Sequence, residues 1–275
     1  MSFLSPANTY DFVTNYADYM ELMNESATNR GLSAYFAQST IDDWRAAQAN
    51  PNGIADSGYP NYVAYPNTDW EDELFRTNVL QDHTVSLTGG SDKIRFLTSA
   101  GYQDNPGIVN NTGQKKYMIR TNLEANPTKW LTVGMNTFAS QADLDNSRFS
   151  DANTYLMATN PGTYTKYDGY YGTSAASEEN SQDNNLLFWL DRGLGYKRSS
   201  RFNTTMFSKV KFLKHFQWDF NFNYSRLITE QRTWFNGEME KMNFRTGQIS
   251  TTKTSLDQMS VNTYNYGNYA RTIED

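Results

Sequence analysis

The sequence predicts an all-β chain: an antiparallel up-and-down transmembrane β-barrel, incomplete, with short N-terminal helices. Three observations lead there. From Asp82 onward apolar and polar residues alternate with a period of two, most clearly in "FQWDFNFNY" (Phe216 to Tyr224), where rings hold every even position and Gln217, Asp219, Asn221 and Asn223 hold the odd ones. Successive strand side chains point to opposite faces, so this segment has one wall of rings and one of polar groups. The connections between such segments alternate short and long. No run approaches the roughly 20 apolar residues of a membrane helix, so helical spanning is excluded.

Alternation alone fits two surroundings. In a soluble sheet the rings face a core and the polar side faces water; in a membrane barrel the rings face lipid and the polar side a wet lumen. Connection length separates them. A barrel passes up and down a bilayer with tight turns on one side and long loops on the other, whereas a Greek-key sandwich has no reason to sort its loops by parity.

Residues 1–80 are unlike the rest and are expected to form a connector with short helices. "YDFVTNYADYMELMNES" places Phe12, Tyr16, Tyr19 or Met20, and Met23 at helical spacing, and "TIDDWRAAQAN" offers Thr40 as an N-cap. Pro51, Gly53, Gly58, Pro60 and Pro66 then mark an irregular stretch. Residues 81–275 are expected to be barrel strands. His83, Val85 and Leu87 share a face; "GGSD" turns the chain; Ile94, Phe96, Ala100 and Tyr102 share the next face. A looser loop at 104–113 leads to Tyr117, Ile119 and Leu123, opposite Lys116, Arg120, Asn122 and Glu124. "NPTK" turns again before Leu131, Val133 and Met135, on a strand expected to end near Ser140.

A long loop is expected at 141–200, then a strand with Phe202, Met206, Val210 and Phe212 on one side, the turn "LKH", and the ring-bearing segment. A second long loop is expected at 231–255, before "SVNTYNYGNYAR", a weaker candidate strand. The clear strands run about 10 to 13 residues, long for a soluble sheet and sufficient for the roughly 9 to 11 of a tilted crossing.

Composition narrows the function. Net charge is −6 over 275 residues with the basic side chains scattered, so no nucleic-acid surface is expected. There is no Cys and there are two His, which removes thiolate chemistry and leaves little for a metal; no cofactor is implied. Mean hydropathy is −0.74 although 15% of residues are aromatic, a mixture that barrel walls have because half of every strand is polar. "MSFLSPANTY" has no basic start, apolar core or cleavage site, so the chain is expected to lack a signal peptide.

Three stretches carry a family likeness. "YPNTDWEDELFR" (Tyr65 to Arg76), "VSLTGGSDKIRFLTSAGYQDNPGIV" (Val85 to Val109) and "KKYMIRTNLEANPTKWLTVG" (Lys115 to Gly134) resemble, in order and spacing, the start of the barrel in the SusC/RagA family of TonB-dependent outer-membrane transporters. "YADYMELMNES" is similar to the segment that links plug to barrel there. The likeness is specific over residues 65–140, weaker over 10–64, and one of pattern only after 145. It implies a barrel of about 22 strands, of which this chain is an early third, in the cell outer membrane and in contact with outer-membrane lipid. It also implies import of oligosaccharides or peptides together with a SusD-like lipoprotein, driven through the TonB complex, and no enzymatic activity. The alternative from another class is a soluble or surface all-β carbohydrate-binding module with a sandwich core.

Candidate sites are few. "TDWEDELFR" gathers Asp69, Glu71, Asp72 and Glu73, yet no catalytic partner stands at a recognisable spacing, and a solvated connector explains them. Asp143, Asp145, Ser147 and Asp151 fall at the 1, 3, 5 and 9 offsets of a calcium loop, but Arg148 replaces the glycine and Thr154 the final glutamate, so no metal site is expected. "TYTKYDGYYGTS" is the candidate ligand-binding segment: Tyr164, Tyr167, Tyr170 and Tyr171 with Asp168 are residue types that stack on sugar rings and hydrogen-bond hydroxyls. Tyrosine also lines loops that bind nothing.

Overall fold

A computed structural model of the chain describes residues 2–4, 12–147, 156–157, 159–173, 185–213, 215–235, 240–241, 244–245 and 251–270. The alternating segments pair as one antiparallel sheet of eight strands in the order β1-β2-β3-β4-β5-β8-β9-β12. These are β1 (Ser2–Leu4), β2 (Asn78–Gly90), β3 (Ile94–Pro106), β4 (Gly113–Thr128), β5 (Leu131–Ser147), β8 (Gly193–Phe212), β9 (Phe216–Phe235) and β12 (Thr251–Tyr269). The short strands β6 (Lys166–Tyr167) and β7 (Tyr170–Tyr171) pair with β10 (Glu240–Lys241) and β11 (Phe244–Arg245) in a second, small sheet. The main sheet is a meander that does not close among the described residues.

Register fixes the two faces. Phe222 stands opposite Met206, which stands opposite Met135, then Leu123 and Phe96, so one face collects the apolar residues of every strand. The opposite face collects Asn221 with Phe207, Asn223 with Thr205, and Arg120 with Phe138. A hydroxyl row crosses the apolar face: the Oγ atoms of Thr137 and Thr204 lie 2.9 Å apart, and those of Thr98 and Thr121 lie 3.4 Å apart. The Thr137–Thr204 bond lowers the cost of placing those hydroxyls on that face; the Thr98–Thr121 contact is weaker.

The strands are longer than the alternation suggests. β8 and β9 have 20 residues each and β5 has 17, so β5 passes Ser140 and the long connections narrow to 148–192 and 236–250. The extra length lies at the long-connection end, where neither side need be apolar and alternation fades. The weak candidate near the C-terminus is the full-length strand β12, paired with β9 from Thr251 to Tyr269. Asp143, Asp145 and Ser147 lie within β5 rather than in a loop, and Asp143 accepts from Arg198. Arg148, Asp151 and Thr154 lie outside the described residues.

Among the described residues before β2 are four helices: α1 (Tyr16–Asn29), α2 (Gln38–Gln48), α3 (Asn61–Ala64) and α4 (Trp70–Leu74). Asn15 caps α1 by accepting from the backbone N–H of Ala17 and Asp18. Thr40 does not cap α2. The N-cap is Ala37, three residues earlier, next to Phe36, whose backbone the Asn24 side chain clamps, donating to its carbonyl (2.8 Å) and accepting from its N–H (2.9 Å). Asp69 caps α4, and Glu71, Asp72 and Glu73 occupy its first turn, where the helix dipole favours them. Burial, and then the neighbouring Asp72 and Asp69, raise the Glu73 carboxyl above its ordinary range.

The buried core is not in the sheet. Trp70, Leu74, Val109, Leu156, Leu186 and Leu190 form one cluster, and Tyr16, Ala17, Met20 and Ile41 a second. Both belong to the long connections. Ser2–Leu4 pair with Asn78–Leu80, so the helical segment leaves and rejoins the sheet at the same end as 107–112 and 148–192. These excursions pack together as a cap over one end of the wall.

Candidate functional site: a tyrosine-bearing cap

The segment that carries the candidate tyrosines is built by local turn chemistry. Asp168 and Gly169 have φ of +46° and +84°, the left-handed pair that a two-residue hairpin turn requires, and they join β6 to β7. Helix α5 (Leu186–Arg192) follows. Asn185 ties the two together: its Nδ2 donates to the carbonyls of Tyr164 (3.1 Å), Thr165 (2.7 Å) and Gly172 (3.3 Å), while its Oδ1 accepts from the N–H of Phe188 and caps α5. One buried amide thus closes the hairpin and starts the helix.

The connector docks on this segment. The indole of Trp70 donates to the carbonyl of Asn160 (3.0 Å), the backbone of Thr68 donates to Pro161 (2.9 Å), and its hydroxyl donates to Thr163 (2.7 Å). Gly162 lies flat against the ring of Tyr16, where a Cβ has no room.

The predicted site residues divide into two sets. Tyr164 and Tyr171 are buried, with 7% and 3% of their surface exposed, and serve the packing of the cap. The Tyr171 hydroxyl donates to Asp191 (2.7 Å) and accepts from Lys166 (3.2 Å), while Asn111 donates to the other oxygen of Asp191 (3.0 Å). Burial, and then the adjacent Asp191 carboxylate, hold the Tyr171 hydroxyl well above the ordinary phenol range. Burial raises Tyr164 as well, with a smaller contribution from Tyr59. Tyr170 is exposed, Asp168 sits at the tip of the turn, and Tyr167 is half-buried.

Tyr167 has company that the sequence reading missed. The rings of Tyr59 and Tyr62 meet it edge-on, with centroids 6.0 Å and 6.2 Å away, and both are exposed. Tyr59, Tyr62, Tyr167 and Tyr170 therefore present aromatic surface on the cap, drawn from two excursions about a hundred residues apart. Only proximity in space unites them; the proline-rich stretch around Tyr59 gives no local signal. Among the described residues no group of acidic or imidazole side chains is arranged to hold a metal ion.

Below the cap lies the wall. From Phe202 to Phe212 the apolar face of β8 covers about 33 Å of strand, which at a tilt of roughly 40° is about 25 Å, the height of a hydrocarbon layer. Rings cluster at both margins. Tyr102 and Tyr117 lie 5.2 Å apart with His83 stacked beyond, and Phe212, Phe216 and Tyr269 gather at the short-turn end. An apolar band between aromatic girdles is the profile of a barrel wall in lipid. No helix among the described residues is long and apolar enough to cross a membrane.

No protein-family profile matches the chain. Among curated proteins it is similar to TonB-dependent receptor P3 of Formosa agariphila, 34% identical over 86 residues, which is 31% of this chain and 9% of that receptor. P26 of the same organism is 31% identical over 122 residues, 42% of this chain and 12% of the receptor. TonB-dependent receptor SusC of Bacteroides thetaiotaomicron is 35% identical over 82 residues, 30% of this chain and 8% of the receptor. Among solved structures, the RagAB peptide transporter aligns with a TM-score of 0.70 at 17% identity, over 98% of this chain and 32% of that chain. The RagAB peptide importer in its 'open-open' state gives 0.72 at 18%, over 99% and 32%. At that identity the structural likeness is one of fold, and the chain spans about a third of the length of those chains.

Proposed function

We propose, from its sequence likeness to TonB-dependent receptors including SusC and its RagAB-like fold, that this chain is wall and outer loops of an outer-membrane nutrient transporter. The observation that carries the reading is the meander itself, with rings on one face, polar groups on the other, and every long connection at one end. The sandwich alternative needs a second sheet against the rings. Among the described residues none is present, and Val85, Ile119, Trp218 and Phe220 stand exposed.

In that barrel the short connections that follow β2, β4 and β8 face the periplasm and the cap faces outward. Residues 1–80 then serve as an outer excursion between β1 and β2 as well as the route into the wall, because β1 is already paired with β2 before the helices begin. The transported ligand is an oligosaccharide or a peptide, taken up with a SusD-like lipoprotein and with energy passed through TonB. Tyr59, Tyr62, Tyr167 and Tyr170 on the cap are the side chains of this chain proposed to meet it.

The test is uptake by cells that express the full-length protein, against a deletion strain, over a panel of labelled oligosaccharides and peptides with and without TonB. TonB-dependent accumulation of at least one ligand is expected, and Tyr170→Ala is expected to reduce it severalfold. Equal accumulation by the deletion strain on every ligand would remove the transport reading.

A further inference from the structure

Register places Asp104, Lys115, Asp143, Arg198 and Glu230 opposite one another on consecutive strands, with the sign alternating along the row. The row lies on the ring-bearing face. It stands two residues, about 7 Å of strand, beyond the Tyr102–Tyr117 girdle, at the headgroup side of the apolar band. The girdle itself is broken just beneath it. On β5 and β8 the girdle positions are Gln141 and Ser200, and the positions below are Ala139 and Phe202. Ala139 and Ser200 leave a groove of about 650 Å³, walled by Tyr117 and Ile119 on one side and by Phe202, Tyr224 and Ile228 on the other, where Arg226 also lines it, held by Asp257 (2.7 Å).

We propose that this groove holds the acyl chain of a phosphate-bearing outer-leaflet lipid, whose phosphate rests on Lys115 and Arg198. The proposal depends on the membrane reading above. The groove opens within the band that faces lipid, so a hydrocarbon chain enters it directly, and Ile119, Phe202 and Ile228 give the chain contacts that a convex barrel surface does not, while the Arg226 charge in its wall is already answered by Asp257. The two cations stand directly above. Lys115 is exposed, and Arg198 donates to Asp143 through Nε alone (2.6 Å), which leaves its terminal amino groups without a hydrogen bond among the described residues. A guanidinium with its outer edge open matches a phosphate in geometry and charge. Asp143 holds that edge in place; the pair is a positioning device for Arg198.

The probes are two lipids with identical chains, phosphatidic acid and diacylglycerol, presented to the full-length protein in detergent, with bound lipid counted by native mass spectrometry. Wild type is expected to retain phosphatidic acid at least tenfold over diacylglycerol. Lys115→Gln and Arg198→Gln are expected to bring the ratio near one, and Ala139→Phe, which fills the groove, to lower retention of both. Lys115→Gln leaves the Arg198–Asp143 pair intact and so tests the phosphate contact without disturbing the wall. Equal retention of the two lipids by wild type, or an unchanged ratio in both charge variants, overturns the site and leaves the barrel in place. Failure of the full-length protein to enter vesicles at all overturns the membrane reading, and the site with it.

Discussion

Asn185 is the residue on which most of the cap depends. Its side-chain amide serves three carbonyls and its oxygen caps a helix, all in buried surroundings. Asn185→Ala strands those groups at a cost of about 1–3 kcal/mol each way it is measured, because a buried carbonyl without a donor loses its hydration for nothing. Limited proteolysis of the full-length protein is expected to show earlier cleavage between 156 and 192. Gly162 is a second such point: Gly162→Ala pushes a methyl into the Tyr16 ring and is expected to destabilise the cap by about 1–3 kcal/mol, read as a lower unfolding midpoint. Tyr171 gives a pH signature. Its folded pKa is raised above the unfolded value near 10, so its contribution is intact below about pH 10 and is lost as pH rises toward the folded value. Phenolate absorbance should therefore show a tyrosine that does not ionise with the rest until the cap opens; complete titration near pH 10 would contradict its burial.

Strand faces decide which substitutions the wall tolerates. Phe220 lies in the middle of the apolar band, and Phe220→Arg is expected to cost about 2–4 kcal/mol of insertion stability, whereas Asn221→Arg on the other face costs little. Refolding into vesicles across a urea series measures both; equal effects would deny that the faces differ. This part of the fold was legible in the sequence. Phe216 to Tyr224 carry the period because lipid on one side and water on the other enforce it at every step. The upper ends of β5 and β8, "QADLDNS" and "GLGYKRSS", carry no strand signal because beyond the bilayer both faces meet polar surroundings and nothing enforces alternation. The turn at "NPTK" also shrank, since β4 runs on to Thr128 through a register shift after Ala125. The site was half legible: the Asp168–Gly169 turn can be read from two letters, but the meeting of Tyr59 and Tyr62 with Tyr167 depends on docking of the connector.

At the scale of the whole molecule the sheet does not close among the described residues, where β12 is bordered by β9 alone and is exposed along its length. An open edge offers a row of unpaired backbone groups, which lipid cannot satisfy and another strand can. The chain of 275 residues expressed alone is therefore expected to aggregate in buffer and to yield no monomer in detergent, and the full-length protein is expected to fold and insert. A monodisperse monomer of this chain in detergent-free buffer, by light scattering, would contradict that.

The strands outrun the bilayer. With roughly half of β8 and β9 rising past the apolar band, the upper wall answers to no fixed thickness, unlike the lower half, which must match the membrane it sits in. Height there is free to drift. Deleting two consecutive residues from each of two facing strands above Phe202 keeps every remaining side chain on its own face and only lowers the rim, so relatives should differ in stature at the top while agreeing at the base.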